Sequence, residues 1–238
     1  MAPKLELSPP KGPSWTPAPD GTQLGPSALS ALVQAGDVIT CRSPGILEVG
    51  IRLALSTGQE RCQVNHDALV GEDERGKWVL DHHTPRAEIV PLVDFLAKRG
   101  AGGSWLCQPY RPRVALDHAP AFVKAWRLDI STFLRGLEGQ DYSESQLAWI
   151  MFRNILVTKW LPWKPRTQWT AAAFCTGSVH DAWTKAPHIP TMRWQPRAYA
   201  EARLPTPLHT QRAVLHGELY AVGHHSPLHW AIVQTAAG

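Results

Sequence analysis

The chain has 238 residues, 44% hydrophobic and 18% charged, with 24 Lys and Arg against 20 Asp and Glu and a formal net charge of +4. A single core can be buried at this length, and the apolar content excludes a chain that is disordered throughout. The basic residues are scattered apart from residues 159–166, so specific nucleic-acid binding is not expected, and no apolar run is long enough to span a bilayer.

Residues 1–35 carry Pro9, Pro10, Pro13, Pro17, Pro19 and Pro26, which predicts an extended Pro-rich arm ending in a short helix over 27–34. The first twenty residues lack the apolar stretch of a secretory signal, so a cytoplasmic or virion-associated protein is expected. A folded domain is expected over 36–203. In it, residues 37–41 read as a strand, and Ser43-Pro44 reads as an N-cap followed by proline at the first helical position. Ile46, Leu47, Ile51, Ala54 and Leu55 then fall on one helical stripe that Gly58 ends. Strands are predicted over 64–70, 77–83, 87–90 and 104–110, with a charged turn over 71–76, a break at Thr84-Pro85 and a helix from Pro91 to 98. From Leu116 the pattern turns helical, with helices over 121–134 and 174–183. Between them lies a capping box, Ser143 with Gln146, ahead of Leu147, Ile150, Met151 and Ile155. Residues 204–238 are predicted as a β-rich extension with strands over 215–222 and 229–233. Strands segregated from helices along the chain give an α+β class.

Cys175 falls where the 174–183 helix begins. A thiol there faces unpaired backbone N–H groups and the positive end of the helix dipole, which favour thiolate and can also stabilise an oxyanion. The competing reading is a small buried core residue. His66 is the candidate base. Alternation places Val64, His66, Ala68 and Val70 on one face of their strand and Asn65, Asp67 and Leu69 on the other. The next strand supplies Asp81, His82 and His83, any of which stands close enough to orient the imidazole; the register, which decides among them, is not given by sequence.

The order of these pieces resembles a known family. Gly36-Asp37-Val38-Ile39-Thr40-Cys41-Arg42-Ser43, Asn65-His66-Asp67-Ala68-Leu69-Val70, Trp78-Val79-Leu80-Asp81, Glu88-Ile89-Val90-Pro91-Leu92 with Phe95-Leu96, and Phe174-Cys175-Thr176-Gly177-Ser178-Val179 are similar to successive motifs of the YiiX-like proteins. These are circularly permuted papain-fold relatives of the NlpC-type cell-wall peptidases, and lecithin retinol acyltransferase shares the arrangement. Three features depart from the family pattern: Asp81 stands where Glu is usual, Thr176-Gly177-Ser178 replaces a Ser-Glu pair, and Asn65 and Asp67 flank the histidine. The resemblance implies a permuted papain-like domain and a thiol hydrolase. Cys175 would be the nucleophile, His66 the base and Asp81 the orienting group. Peptidoglycan stem peptides are the first substrate class implied and acyl lipids the second.

Trp163, Lys164 and Arg166 form an aromatic and basic loop before the nucleophile helix and are the candidate substrate-binding residues. Cys41, Cys62 and Cys107 read as core residues. No cofactor is expected, and no metal, because His82-His83, His224-His225 and His229 lack ligand spacing. His180, five residues beyond Cys175, stands about 140° around the helix and is not its base. The arm and the C-terminal extension suggest attachment pieces, for which a phage cell-wall-degrading component is one setting. A non-catalytic docking subunit on the same core is the rival reading.

Overall fold

The computed structural model describes residues 24–56, 60–82, 86–99, 105–141, 175–188, 190–200 and 205–235. One six-stranded, wholly antiparallel sheet organises the α+β fold: β1 (Val38–Arg42), β2 (His66–Asp73), β3 (Gly76–His82), β4 (Ala87–Pro91), β5 (Leu106–Pro112) and β6 (Leu219–Ala221), in the spatial order β4-β3-β2-β1-β5-β6. The helices are α1 (Pro26–Leu32), α2 (Ile46–Leu55), α3 (Leu92–Arg99), α4 (Val114–Asp117), α5 (Pro120–Arg135), α6 (Cys175–Thr184), α7 (Arg197–Ala200), α8 (Pro207–Leu215) and α9 (Pro227–Gln234).

Alternation along the strands sorts the core into two layers. Ile39, Cys41, Ala68, Val70 and Val79 face one side, where Leu29 and Val33 meet Leu92, Phe95 and Leu96 of α3. Val38, Leu69, Trp78, Leu80 and Tyr110 face the other, beneath Trp126, Ile130 and Leu134 of α5 and Val179, Ala182 and Trp183 of α6. Burying one large apolar side chain contributes about 1.5–3 kcal/mol, so the indoles of Trp126 and Trp183, both fully buried, anchor this second layer. Gly36 makes the close approach possible. Its φ is 85°, a Cβ there would lie 2.5 Å from the Trp126 ring, and its carbonyl accepts from Trp183 Nε1 at 3.2 Å. The next residue, Asp37, is fully buried and accepts from Arg111 through both carboxylate oxygens, at 3.0 and 2.9 Å, pinning the entry of β1 to β5.

Several predicted boundaries move for identifiable reasons. Ser43 is not the cap of α2. Its hydroxyl accepts from Asn65 Nδ2 at 2.8 Å and its N–H donates to Asn65 Oδ1 at 2.9 Å, so the helix starts beyond it with Gly45 as N-cap. The charged turn is shorter than predicted, because Asp73 accepts from the Arg75 N–H at 2.8 Å and from Trp78 Nε1 at 3.1 Å, closing the β2–β3 hairpin at residues 74–75. The short helix predicted at the end of the arm forms as α1, and it is packed on α3 rather than projecting, with Leu29 and Val33 in the core.

The largest correction concerns the β-rich C-terminal extension. Among the described residues of this segment only β6 is a strand; residues 229–233 lie in α9, and α8 precedes β6. Thr206-Pro207 and Ser226-Pro227 each place a hydroxyl residue at the N-cap and proline at the first helical position, and both helices start there. Leu208, Val214, Leu228 and Ile232 from this segment join the same core as Val38 and Leu69. The capping box at Ser143 and the helix lined by Leu147 to Ile155 lie outside the described residues, as do residues 1–23 of the expected arm.

Candidate functional site

His66 is the first residue of β2, and alternation carries it onto the same face as Asp81 of β3, two strand positions beyond Val79. The His66 Nε2 atom is 2.9 Å from Asp81 Oδ1, with Asp81 fully buried. A second neighbour of the ring is the Cys175 sulfur, at the first residue of α6. Because Asp81 takes Nε2, Nδ1 is the nitrogen left for sulfur. Cys175 and His66 are each 8% exposed, so both are buried with only a small part of their surface reaching solvent. The Trp105 ring and the imidazole form a T-shaped pair, with centroids 5.9 Å apart and planes at 74°. Burial opposes charge on His66, but the negative Cys175 sulfur, the hydrogen bonds to Asp81 and Cys175, and the Asp81 charge outweigh it and push the imidazole up to about 10.

The first two residues of α6 meet side chains from both faces of β2. Thr176 donates its hydroxyl to Asp67 Oδ2 at 2.7 Å, and Thr210 of α8 donates to the same oxygen at 2.7 Å. Thr210 in turn is 2.5 Å from the Tyr199 hydroxyl of α7. The Thr176 hydroxyl lies 3.8 Å from the Cys175 sulfur, so Asp67 steadies the residue beside Cys175. Asp67 is 1% exposed and its second oxygen, Oδ1, is buried without a hydrogen-bond partner. Burial, the largest influence, pushes this carboxyl up to about 6, against the hydrogen bonds from Thr176 and Thr210 and the attraction of His66. One turn further along α6, Ser178 Oγ is 2.8 Å from His82 Nδ1.

The structure thus brings Cys175, His66 and Asp81 together. Of the three alternatives for the orienting group, Asp81 reaches His66, His82 is turned to the opposite face toward Ser178, and residue 83 lies outside the described residues. Trp163, Lys164 and Arg166 also lie outside them. His180 bonds Asp181 at 3.2 Å and Gln195 at 3.1 Å, away from the sulfur. Among the described residues, no group of three or more His, Cys, Asp or Glu side chains is arranged to hold a metal ion, and no helix is long and apolar enough to cross a membrane. Sequence reasoning missed Asp67, Thr176, Thr210, Tyr199 and Trp105. The alternation that separated Asp67 from His66 was the available signal: it put a carboxylate on the face covered by α6, where a buried charge requires hydroxyl donors.

A thiol, an imidazole and a carboxylate in sequence, with the thiol at a helix N-terminus on an antiparallel sheet, form the kind of constellation that can support nucleophilic chemistry. No family model matches the chain, and no curated protein matches its sequence. Among solved structures, the metalloprotein YiiX from Escherichia coli O157:H7 is similar at 17% identity over 84% of this chain and 91% of that one, with a TM-score of 0.42.

Proposed function

We propose that the chain is a cysteine hydrolase that cleaves an amide or ester bond, with peptidoglycan stem peptides as its first substrate class and acyl lipids as the second. The observation that carries this reading is the His66 imidazole held between the Cys175 sulfur and Asp81 Oδ1. Cys175 sulfur attacks the carbonyl carbon, and the proton it loses resides on His66 Nδ1. The carbonyl oxygen becomes an oxyanion at the N-terminal end of α6, where helix N–H groups and the positive end of the helix dipole favour negative charge. His66 then gives its proton to the departing amine or alcohol, leaving a thioester. Water, deprotonated by His66, attacks the thioester, and Cys175 leaves with the acid product released. Asp81 fixes the ring so that Nδ1 faces sulfur and offsets the positive charge on the imidazolium. The substrate class rests on the motif resemblance over residues 36–183.

The test is mass spectrometry of products from purified peptidoglycan and an acyl-lipid panel incubated with the full chain. Product release is expected with the wild type and is expected to fall by about 10³-fold or more in Cys175→Ala and nearly as far in His66→Ala, since such residues act as a unit. Equal release by Cys175→Ala, or no product from any substrate of the panel, overturns the reading.

A further inference from the structure

We propose that Cys41 and Cys107 form a peroxide-oxidisable dithiol, a reversible disulfide site one strand away from His66. The antiparallel register sets Cys41 directly opposite Cys107 on one side and directly opposite His66 on the other, so the three side chains form a row on one face of the sheet. The Cys107 thiol donates to the Cys41 sulfur at 3.0 Å. Closing that gap to a bond of about 2.05 Å takes a movement of about 1 Å. Residues directly opposite in antiparallel strands have Cα atoms about 4.5–5.5 Å apart, inside the span of about 4.4–6.8 Å that a disulfide bridges, so the backbone is already placed. Neither of the other cysteines is set this way. Cys62 donates to the Val64 carbonyl at 3.0 Å, and Cys175 belongs to the helix across the site.

Access is built in on one side. Cys41 is fully buried, whereas Cys107 is half-buried and lines a cavity of about 50 Å³ with Trp105, Leu96, His224 and Pro227. One water molecule needs about 10–15 Å³, so a molecule of hydrogen peroxide fits against the Cys107 sulfur. The chemistry has two steps. In the first, the Cys107 sulfur, as thiolate, attacks one peroxide oxygen; the S–O bond forms, the O–O bond breaks, and the leaving hydroxide takes up the thiol proton as water. In the second, the Cys41 sulfur attacks the sulfenic sulfur; the S–S bond forms, the S–O bond breaks, and a second water leaves with the Cys41 proton. Two thiols lose two electrons and peroxide is reduced to two waters. The bond ties β1 to β5 beside Trp105, whose ring packs T-shaped against His66.

The experiment is peptide mapping of the full native chain after hydrogen peroxide treatment and alkylation. The expected dominant cross-link joins the Cys41 and Cys107 peptides, lighter than their sum by two hydrogen atoms and abolished by dithiothreitol. The same link is expected in Cys175→Ala, and no link in Cys107→Ser, whose substitution sits at a half-buried position. The proposal is overturned if Cys107 collects oxygen while Cys41 stays alkylatable, or if the link runs to Cys62 or Cys175. The readout is a peptide mass and stands whether or not Cys175 is a catalytic nucleophile.

Discussion

Replacing Asp67 with asparagine removes an ionisable group from a buried position while keeping an oxygen to accept from Thr176 and Thr210. In the folded protein the carboxyl titrates near 6 instead of at its ordinary 3.8. That difference of about two units corresponds to about 3 kcal/mol. The sign follows from proton counting. Between pH 4 and 6 the folded state holds the Asp67 proton and the unfolded state has released it, so stability falls as pH rises through this window and levels off above it. A carboxamide at this position cannot ionise, so the Asp67→Asn variant escapes the loss. The stability of the variant relative to wild type is expected to grow by about 3 kcal/mol between pH 3 and pH 7. With a urea dependence of about 1–3 kcal/mol per molar, this is a relative midpoint shift of about 1–3 M, read from urea unfolding of both proteins at each pH with unchanged slopes. Parallel stability curves across that range would refute the assignment of Asp67 as a carboxylate strained by burial.

The His66 imidazole is expected to stay protonated well past neutrality, with its ring-proton NMR signal titrating toward 10, and to titrate lower in Cys175→Ala because the sulfur is the largest raising influence. The stability linked to that proton is whole below pH 6.5 and is lost as pH rises through about 10; a wild-type midpoint near 6.5 contradicts the arrangement. Cys62, pushed up to about 12 by burial, is expected to resist iodoacetamide at pH 8 while Cys175 labels, and equal labelling would count against the site. Asp37→Asn leaves the Arg111 guanidinium buried without its partner charge and is expected to cost about 3–5 kcal/mol by chemical denaturation; a loss below about 1 kcal/mol would show the pair is not structural. Gly71→Ala drives a Cβ into the Trp78 indole and is expected to lower stability by about 1–3 kcal/mol, with an unchanged Tm as the contrary result.

The strands were legible because their chemistry is local. Val38 to Cys41, His66 to Val70 and Trp78 to Asp81 alternate between two buried faces, and Pro91 ends one strand beside the helix that follows. The thiol at a helix start and the histidine on a strand were legible for the same reason. Their meeting was not local, since it depends on register and on how α6 crosses the sheet. Period-two reasoning could place Asp81 and residue 83 on one face but not choose between them. The C-terminal segment departs from expectation because Leu219, Ala221, Leu228 and Ile232 offer a short apolar pattern that suits strand or helix equally, and the Thr206-Pro207 and Ser226-Pro227 pairs tip it toward helix. Ser43-Pro44 carried that same signature and did not cap a helix, because Asn65 had already claimed the hydroxyl.

The bond from Thr210 to Asp67 has a consequence for the order of events during synthesis. A ribosome delivers His66, Asp81 and Cys175 well before residue 210, so for that interval Asp67 has only Thr176 to share its oxygen with. The support behind Thr176 is thus completed from a helix that follows it in the chain, and Asp67 gains its second hydroxyl donor only once α8 is in place.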